Sequence, residues 1–383
     1  MINEFQMPTK IVSGAGCVRE AVRELKLINS RKVLIITDPG VNKTGLPASV
    51  ADHLRAGGME VGVFDEVESD PGIGTAAKAG EAAKAMQADV MVAIGGGSSI
   101  DTGKSAALLV TNGGHLKDYA GVGKVGTPTL PLIAIPTTAG TGSEVTVFAV
   151  MSDPANNEKF TISSPFMAPG VAILDPEVTV GLPPLITAFT GMDALTHAVE
   201  AYASAIAQPA TNALAIHAVK MILDNLPVAV FRPDNINARE NMMQAALLAG
   251  VAFSNAYLGL AHAIASPLGG HFHVPHGLAN AVMLPYVMEF NLPAAVGRYA
   301  EIAKVLGLGG PNDHPRALAD KAVSAITALA RDIGIPKRLR DVVGAKEDFL
   351  PLVAHDAMKS VQLKFNPRIA TEQEILGILH KAF

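Results

Sequence analysis

Residues 89–105 read DVMVAIGGGSSIDTGKS. An apolar run of strand length meets three glycines and passes into a segment with helical spacing. That order predicts a buried strand, a tight turn and a helix whose N-terminus faces the turn. The same plan surrounds it. RKVLIITD (31–38), VGVFDEV (61–67), LPLIAIPTT (130–138) and VAILDP (171–176) are short and rich in β-branched residues. Helical patterns over about 46–57, 74–87 and 100–110 lie among them. Continuous apolar strands separated by helices predict a parallel sheet covered on both faces. Such sheets bind ligands beyond the carboxyl ends of their strands. The loops Asp38-Pro39-Gly40, Gly95–Ser99 and Thr137–Ser143 are expected there.

After Leu182-Pro183-Pro184 the texture changes. ITAFTGMDALTHAVEAYAS, TNALAIHAVKMILDNL and NARENMMQAALLAGVAF carry apolar residues three and four apart, with Pro or Gly breaks between segments. A domain boundary is expected near 183. Residues 1–183 then form an α/β domain and 184–383 an all-helical one. A cleft between two such domains is a natural place for an active site.

The totals narrow the function classes. The chain has 383 residues, 49% of them apolar and 17% charged, with a net charge of −5. A nucleic-acid partner would want a basic face, and none is suggested. No run of 18 apolar residues is uninterrupted, so no membrane span is expected. The N-terminus, MINEFQMPTK, has no charged-then-apolar signal pattern, which predicts a cytoplasmic protein. A single cysteine, Cys17, excludes an internal disulfide and an all-cysteine metal site. Any metal must be held by His, Asp or Glu.

The glycine turn suits an anion, because bare backbone N–H groups and a helix N-terminus face it together. It is not the dinucleotide fingerprint G-x-G-x-x-G, since Ile100 stands at the third glycine. It also misses a P-loop: Gly103-Lys104-Ser105 matches the end of that motif, but Ser98 replaces its first glycine. PTTAGTGSE (136–144) follows the next strand and offers Thr137, Thr138, Thr141 and Ser143 with Gly140 and Gly142. Either loop alone also reads as an ordinary turn. Two of them at adjacent strand ends favour one phosphate or ribose cradle. Asp38 ends another strand, where a carboxylate takes ribose hydroxyls and repels a 2′-phosphate. It also reads as a turn-forming Asp before Pro.

Asp193 and His197, in GMDALTHAVE (191–200), are four apart on a predicted helix and share a face. The helix is otherwise apolar, so a charged pair there needs a partner, and a divalent metal would serve. GLAHAIASPLGGHFHVPHG (259–277) holds four of the 11 histidines. His262 is read on a helix beginning near Tyr257, and His276 in a turn that starts the next helix. Those two can converge with Asp193 and His197 and leave a coordination position open. His271 and His273, expected on a loop, cannot both join without crowding.

GGGSSIDTGK, PTTAGTGSE, ILDPEVTVGLPPLITAFTGMDALTHAVEAY (173–202) and GLAHAIASPLGGHFHVPHGLANA (259–281) together resemble the iron-containing (group III) alcohol dehydrogenase family. The resemblance spans essentially the whole chain. It implies a Rossmann-like, dehydroquinate synthase-like fold, with an α/β NAD-binding domain followed by an all-α metal-binding domain. It implies metal ligation by Asp193, His197, His262 and His276, with Fe²⁺ the family's ion and Zn²⁺ an alternative. The cofactor is NAD, met by Asp38, Gly95, Gly96, Gly97, Ser98, Asp101, Thr137, Thr138, Thr141 and Lys159. Phe148 and Phe253 match substrate-pocket positions, though both also read as core. The implied reaction interconverts a small primary alcohol or diol and its aldehyde by hydride transfer, with the metal as Lewis acid on the substrate oxygen. A homodimer or higher homo-oligomer is implied as well.

One position departs from the family. A histidine usually follows the third ligand by four residues, beside the metal and in a proton-transfer or substrate-placing role. Ser266 stands there. The expected catalytic set is therefore His262, His276, His273 and Ser266, with His271 or His273 the candidates to compensate for the missing histidine. The rivals are a polyol (glycerol-type) dehydrogenase or another enzyme of this fold, such as a dehydroquinate synthase-like lyase, and a nucleotide-dependent kinase using Gly103-Lys104-Ser105.

Overall fold

The computed structural model describes residues 4–155, 158–310, 312–342 and 344–383. The chain divides into two compact units, one of Met7–Gly181 and one of Leu182–Phe383 together with the first residues.

The first unit is built on a six-stranded parallel sheet. Its strands are β1 (Lys10–Ser13), β2 (Lys32–Ile36), β3 (Glu60–Phe64), β4 (Val90–Gly95), β6 (Leu132–Pro136) and β9 (Val171–Leu174). The helices among them are α1 (Ala21–Leu27), the single turn α2 (Pro39–Asn42), α3 (Leu46–Ala56), α4 (Ile73–Met86) and α5 (Gly97–Asn112). Every residue of β4 and β6 is buried. Successive side chains point to opposite faces, so a continuous apolar run supplies two cores. Val33, Ile35, Val92, Ile94, Ile133 and Ile135 pack with Leu25 of α1 and Leu54 of α3. Leu34, Ile36, Met91, Ala93, Leu132 and Ala134 pack with Ala79 and Ala83 of α4 and Ile100 of α5.

The strand order is β1-β9-β6-β4-β2-β3. The chain runs from β2 out to β3, then crosses back to place β4 on the other side of β2. The order therefore reverses between β2 and β4, and a ligand crevice belongs at their carboxyl ends. Asp38 and Gly95–Ser99 lie there.

A second, three-stranded sheet joins β5 (Gly121–Val122), β7 (Phe148–Asp153) and β8 (Glu158–Ser163). Neither β1 nor this small sheet was expected. β1 and β5 are short, and exposed or half-buried residues interrupt the apolar pattern of β1, β7 and β8, as in the Lys10-Ile-Val-Ser13 of β1.

The second unit is helical: α6 (Pro184–Ala203), α7 (Pro209–Phe231), α8 (Ile236–Ala256), α9 (Leu260–Phe272), α10 (His276–Val305), α11 (Pro315–Asp332), α12 (Leu350–Ala357) and α13 (Glu372–Ala382). α6 packs against α7, α8 and α10, and is buried without a break from Gly191 to Ala203. α10 kinks at Ala295, two residues after Pro293. α7 is long and apolar enough to cross a membrane by length and composition alone, and here it packs against α6 and α8.

Two local readings are corrected. α9 begins at Leu260, not near Tyr257, whose φ of 59° ends α8 instead. His271 and Phe272 form the last turn of α9 rather than a loop, and His273 closes that helix in the left-handed region at φ 55°. The short link Tyr257-Leu258-Gly259 disguised the first boundary, and two glycines before His271 disguised the second.

Candidate functional site

Asp193 and His197 stand one turn apart on the buried face of α6, as their spacing requires. His262 enters from the first turn of α9, and His276 is the first residue of α10. Asp193, His262 and His276 each present a donor atom within 4.8 Å of the others. Asp193 Oδ1 lies 3.8 Å from His262 Nε2 and 4.0 Å from His276 Nε2, and Oδ2 lies 4.0 Å from His197 Nε2. The His197 ring stacks on His262 with centroids 4.7 Å apart, and on Phe253 at 4.5 Å. Burial alone would raise the Asp193 pKa. His197, His276 and His262 outweigh it and hold the carboxyl below its ordinary value, so the group is an anion.

Two close approaches make this convergence possible. A Cβ on Gly277 would stand 2.6 Å from Phe189 O and 3.4 Å from Asp193 Cβ, so only glycine lets α10 start against α6. A Cβ on Gly259 would meet Asn366 Oδ1 at 2.8 Å and Glu200 Oε1 at 3.2 Å. The buried peptide N–H groups that open α9, which have no partner within the helix, are satisfied there: Ala261 N donates to Glu200 Oε1 at 2.6 Å, and Leu260 N to Asn366 Oδ1 at 3.2 Å.

Sequence reasoning missed two residues. Glu200 is buried on α6, and its Oε2 lies 2.6 Å from His262 Nδ1, within hydrogen-bond distance. Asn280, one turn after His276, donates from Nδ2 to Asp193 Oδ1 at 2.7 Å and lies 3.2 Å from His276 Nε2. The spacing Asp193-x₃-His197-x₂-Glu200 on an apolar helix was the available signal for Glu200. Asn280 had only its helical offset from His276.

The donors fit a divalent metal. They are imidazole nitrogens and one anionic carboxylate. The Nε2 of His262 is buried and has no hydrogen-bond partner among the described residues, although buried polar atoms nearly always have one. The His276 side chain is 43% exposed, against 4% for Asp193 and His262, so the cluster opens on the His276 side.

Ser266 is half-buried on α9, one turn beyond His262. His271 Nε2 pairs with Asp356 Oδ2 of α12 at 2.7 Å. His273 is exposed at the end of α9.

In the first unit, backbone rather than side chains shapes the site. A Cβ on Gly97 would lie 2.8 Å from Thr141 Cγ2, and one on Gly96 would lie 3.5 Å from Thr138 Oγ1. Gly95 has φ +154°, and a Cβ there would strike Ser99 and approach Asp38 Oδ2 at 3.3 Å. Thr137 N donates to Gly95 O at 3.0 Å. The two polar loops therefore touch. Asp38 caps α2, accepting from Gly40 N and Val41 N through Oδ1, while Ser99 Oγ donates to Oδ2 at 3.3 Å. Ser98 Oγ donates to Ser69 O at 2.5 Å, and Lys159 pairs with Asp70 at 2.6 Å. Phe148, half-buried in β7, offers its carbonyl to Lys104.

Lys104 decides against a kinase P-loop. Its Nζ is buried and donates to Ser143 Oγ, Thr146 Oγ1 and the carbonyls of Thr146 and Phe148 at 2.6–3.1 Å. Asp101 accepts from Ser143 Oγ at 2.5 Å and from Val150 N at 2.9 Å. Both side chains tie α5 to the second loop rather than reach for a phosphate. Burial pushes the Lys104 amine down to about 8 and the Glu144 carboxyl up to about 7.

Comparison with known proteins agrees with both halves. Residues 8–176 match the model of iron-containing alcohol dehydrogenase, and 187–383 match that of the Fe-containing alcohol dehydrogenase family, C-terminal. The chain is 41% identical over 381 residues to the NAD-dependent methanol dehydrogenase of Bacillus methanolicus, covering 100% of each. It is 42% identical over 382 residues to the 1,3-propanediol dehydrogenase of Klebsiella pneumoniae, covering 99% of this chain and 98% of that one. A crystal structure of 1,3-propanediol oxidoreductase superposes with a TM-score of 0.98 at 41% identity, covering 100% of both chains.

Proposed function

The chain belongs to the iron-containing alcohol dehydrogenase family and is an NAD-dependent, metal-dependent oxidoreductase; we propose that it interconverts a small primary alcohol or diol and its aldehyde by hydride transfer. The observation that carries this reading is the convergence of Asp193, His262 and His276 around a buried imidazole nitrogen with no hydrogen-bond partner among the described residues.

Asp193, His197, His262 and His276 would hold Fe²⁺, or Zn²⁺ in its place. A metal there would supply a Lewis acid for the substrate oxygen, with a nicotinamide as the hydride partner. The residues of the chain do the rest. Asp193 offsets the ion's charge in a buried setting. Phe253, stacked on His197, gives the site an apolar wall beside the imidazoles, and Phe148 is proposed to line the pocket too. The exposed side of His276 leaves the approach for an alcohol. The Ser266 hydroxyl, one turn from His262, is suited to pass a proton outward, with His273 a more distant alternative.

Gly95, Gly96, Gly97 and Ser98 would cradle the cofactor pyrophosphate, with Thr137, Thr138, Thr141 and Lys159 along the rest of the dinucleotide. Asp101 would act by holding the second loop. Asp38 would select NAD over NADP. Residues 1–183 are thus assigned to the cofactor and 184–383 to the metal. A homodimer or higher homo-oligomer in the cytoplasm, with no nucleic-acid or membrane partner, completes the reading.

The test is anaerobic loading with Fe²⁺, then oxidation of a panel of short primary alcohols and diols followed by NADH absorbance. Turnover is expected with metal and lost on chelation. A stripped protein that keeps full activity would overturn the metal's role. Oxidation of glycerol in preference to every primary mono-alcohol and 1,3-diol would favour the polyol branch.

A further inference from the structure

We propose that Glu200 is a positioning residue that fixes the proton of His262 on Nδ1 and so keeps Nε2 as a lone pair for the metal. This rests on the metal-site reading above. The geometry is a clamp with two jaws. Oε1 accepts the Ala261 amide at 2.6 Å, and Oε2 lies 2.6 Å from His262 Nδ1. Both contacts are buried, and Gly259 lacks a Cβ where one would crowd Oε1.

A carboxylate can accept at both oxygens, and nothing else of that size can. A glutamine must choose. With its oxygen on the Ala261 N–H, its NH₂ group faces His262 Nδ1 and makes that nitrogen an acceptor. The imidazole proton then moves to Nε2, which closes the lone pair that a metal needs. With the amide reversed, an NH₂ group meets the Ala261 N–H and the helix start loses its acceptor. A neutral imidazole carries one N–H, so the partner of one nitrogen dictates the state of the other. The Nε2 of His262 is buried with no hydrogen-bond partner among the described residues, which leaves it available to a metal. Asp193, 3.8 Å away, is too far to bind that nitrogen by a hydrogen bond.

Capping alone would explain only one of the two contacts. Glu200→Gln separates the roles, because the amide can still cap α9. The experiment uses the full-length chain, stripped of metal, with Zn²⁺ titrated against a chromophoric chelator. Glu200→Gln is expected to bind Zn²⁺ about 10- to 100-fold more weakly than the parent, with NADH affinity within about twofold. Equal Zn²⁺ affinity in the two proteins would overturn the proposal. A parent chain that binds no Zn²⁺ and no Fe²⁺ would instead overturn the metal site itself. Should Glu200→Gln fail to fold, ¹⁵N-histidine spectra of the stripped parent decide. The His262 signals, assigned by their loss in His262→Gln, are expected to show a protonated Nδ1 and a pyridine-type Nε2. The opposite tautomer would overturn the proposal.

Discussion

The two candidate sites of this chain are built from opposite materials. The cofactor loops of the first unit are made by what is missing: Gly95, Gly96 and Gly97 carry no Cβ, and the loops approach each other through that space. The metal cluster of the second unit is made by what is present: three imidazoles and a carboxylate brought to one point in an apolar bundle. The first should tolerate losing a side chain and suffer from gaining one. The second should do the reverse. Gly259 and Gly277 complicate the contrast, since the metal cluster also needs bare backbone where its helices start.

The largest effect should come from truncating a metal donor. His262→Ala removes one ligand and leaves a Glu200 oxygen buried without its donor. Losing several kcal/mol of Lewis-acid stabilisation lowers kcat/KM by roughly a thousandfold or more. Elemental content and kinetics should fall together while NADH affinity stays within about twofold. Retained activity in a metal-free variant would break the comparison.

Adding a Cβ to the other site comes next. Gly97→Ala places a methyl 2.8 Å from Thr141 Cγ2. Such overpacking costs about 1–3 kcal/mol, or roughly a 5- to 150-fold loss of NADH affinity. Metal content should not change. Unaltered NADH binding by calorimetry would show that the loops are not pressed together around a cofactor.

The smallest effect should follow the loss of a carboxylate from the glycine site. Asp38→Gly removes the cap of α2 and the charge facing any 2′-phosphate. The NADPH/NADH ratio of kcat/KM is expected to rise by about 1 kcal/mol, roughly fivefold. An unchanged ratio would leave Asp38 as a cap alone.

The legible parts of the molecule were those with a short-range signature. β2, β4 and β6 are continuous apolar runs because parallel strands are buried on both faces. The Asp193–His197 pair follows from helical spacing alone. β1 was not legible, because it pairs with β9 from more than 150 residues away and only two of its four residues are apolar. Nor were the ends of α9. Tyr257 and His273 adopt positive φ without being glycine, and no residue type announces that.

The sequence by itself determined the alternation of strands and helices, the glycine turns, the change to helix after Pro183 and a family resemblance that named four metal donors. Only the tertiary structure showed that Lys104 is spent on protein oxygens, that His271 is taken by Asp356, and that Glu200 of α6 holds His262 of α9. The physical reason is the range of the interactions. Helical spacing and turn chemistry act over a few residues, so sequence order exposes them. A hydrogen bond between side chains 62 or 85 positions apart depends on how whole helices pack, and that is decided only when the core closes.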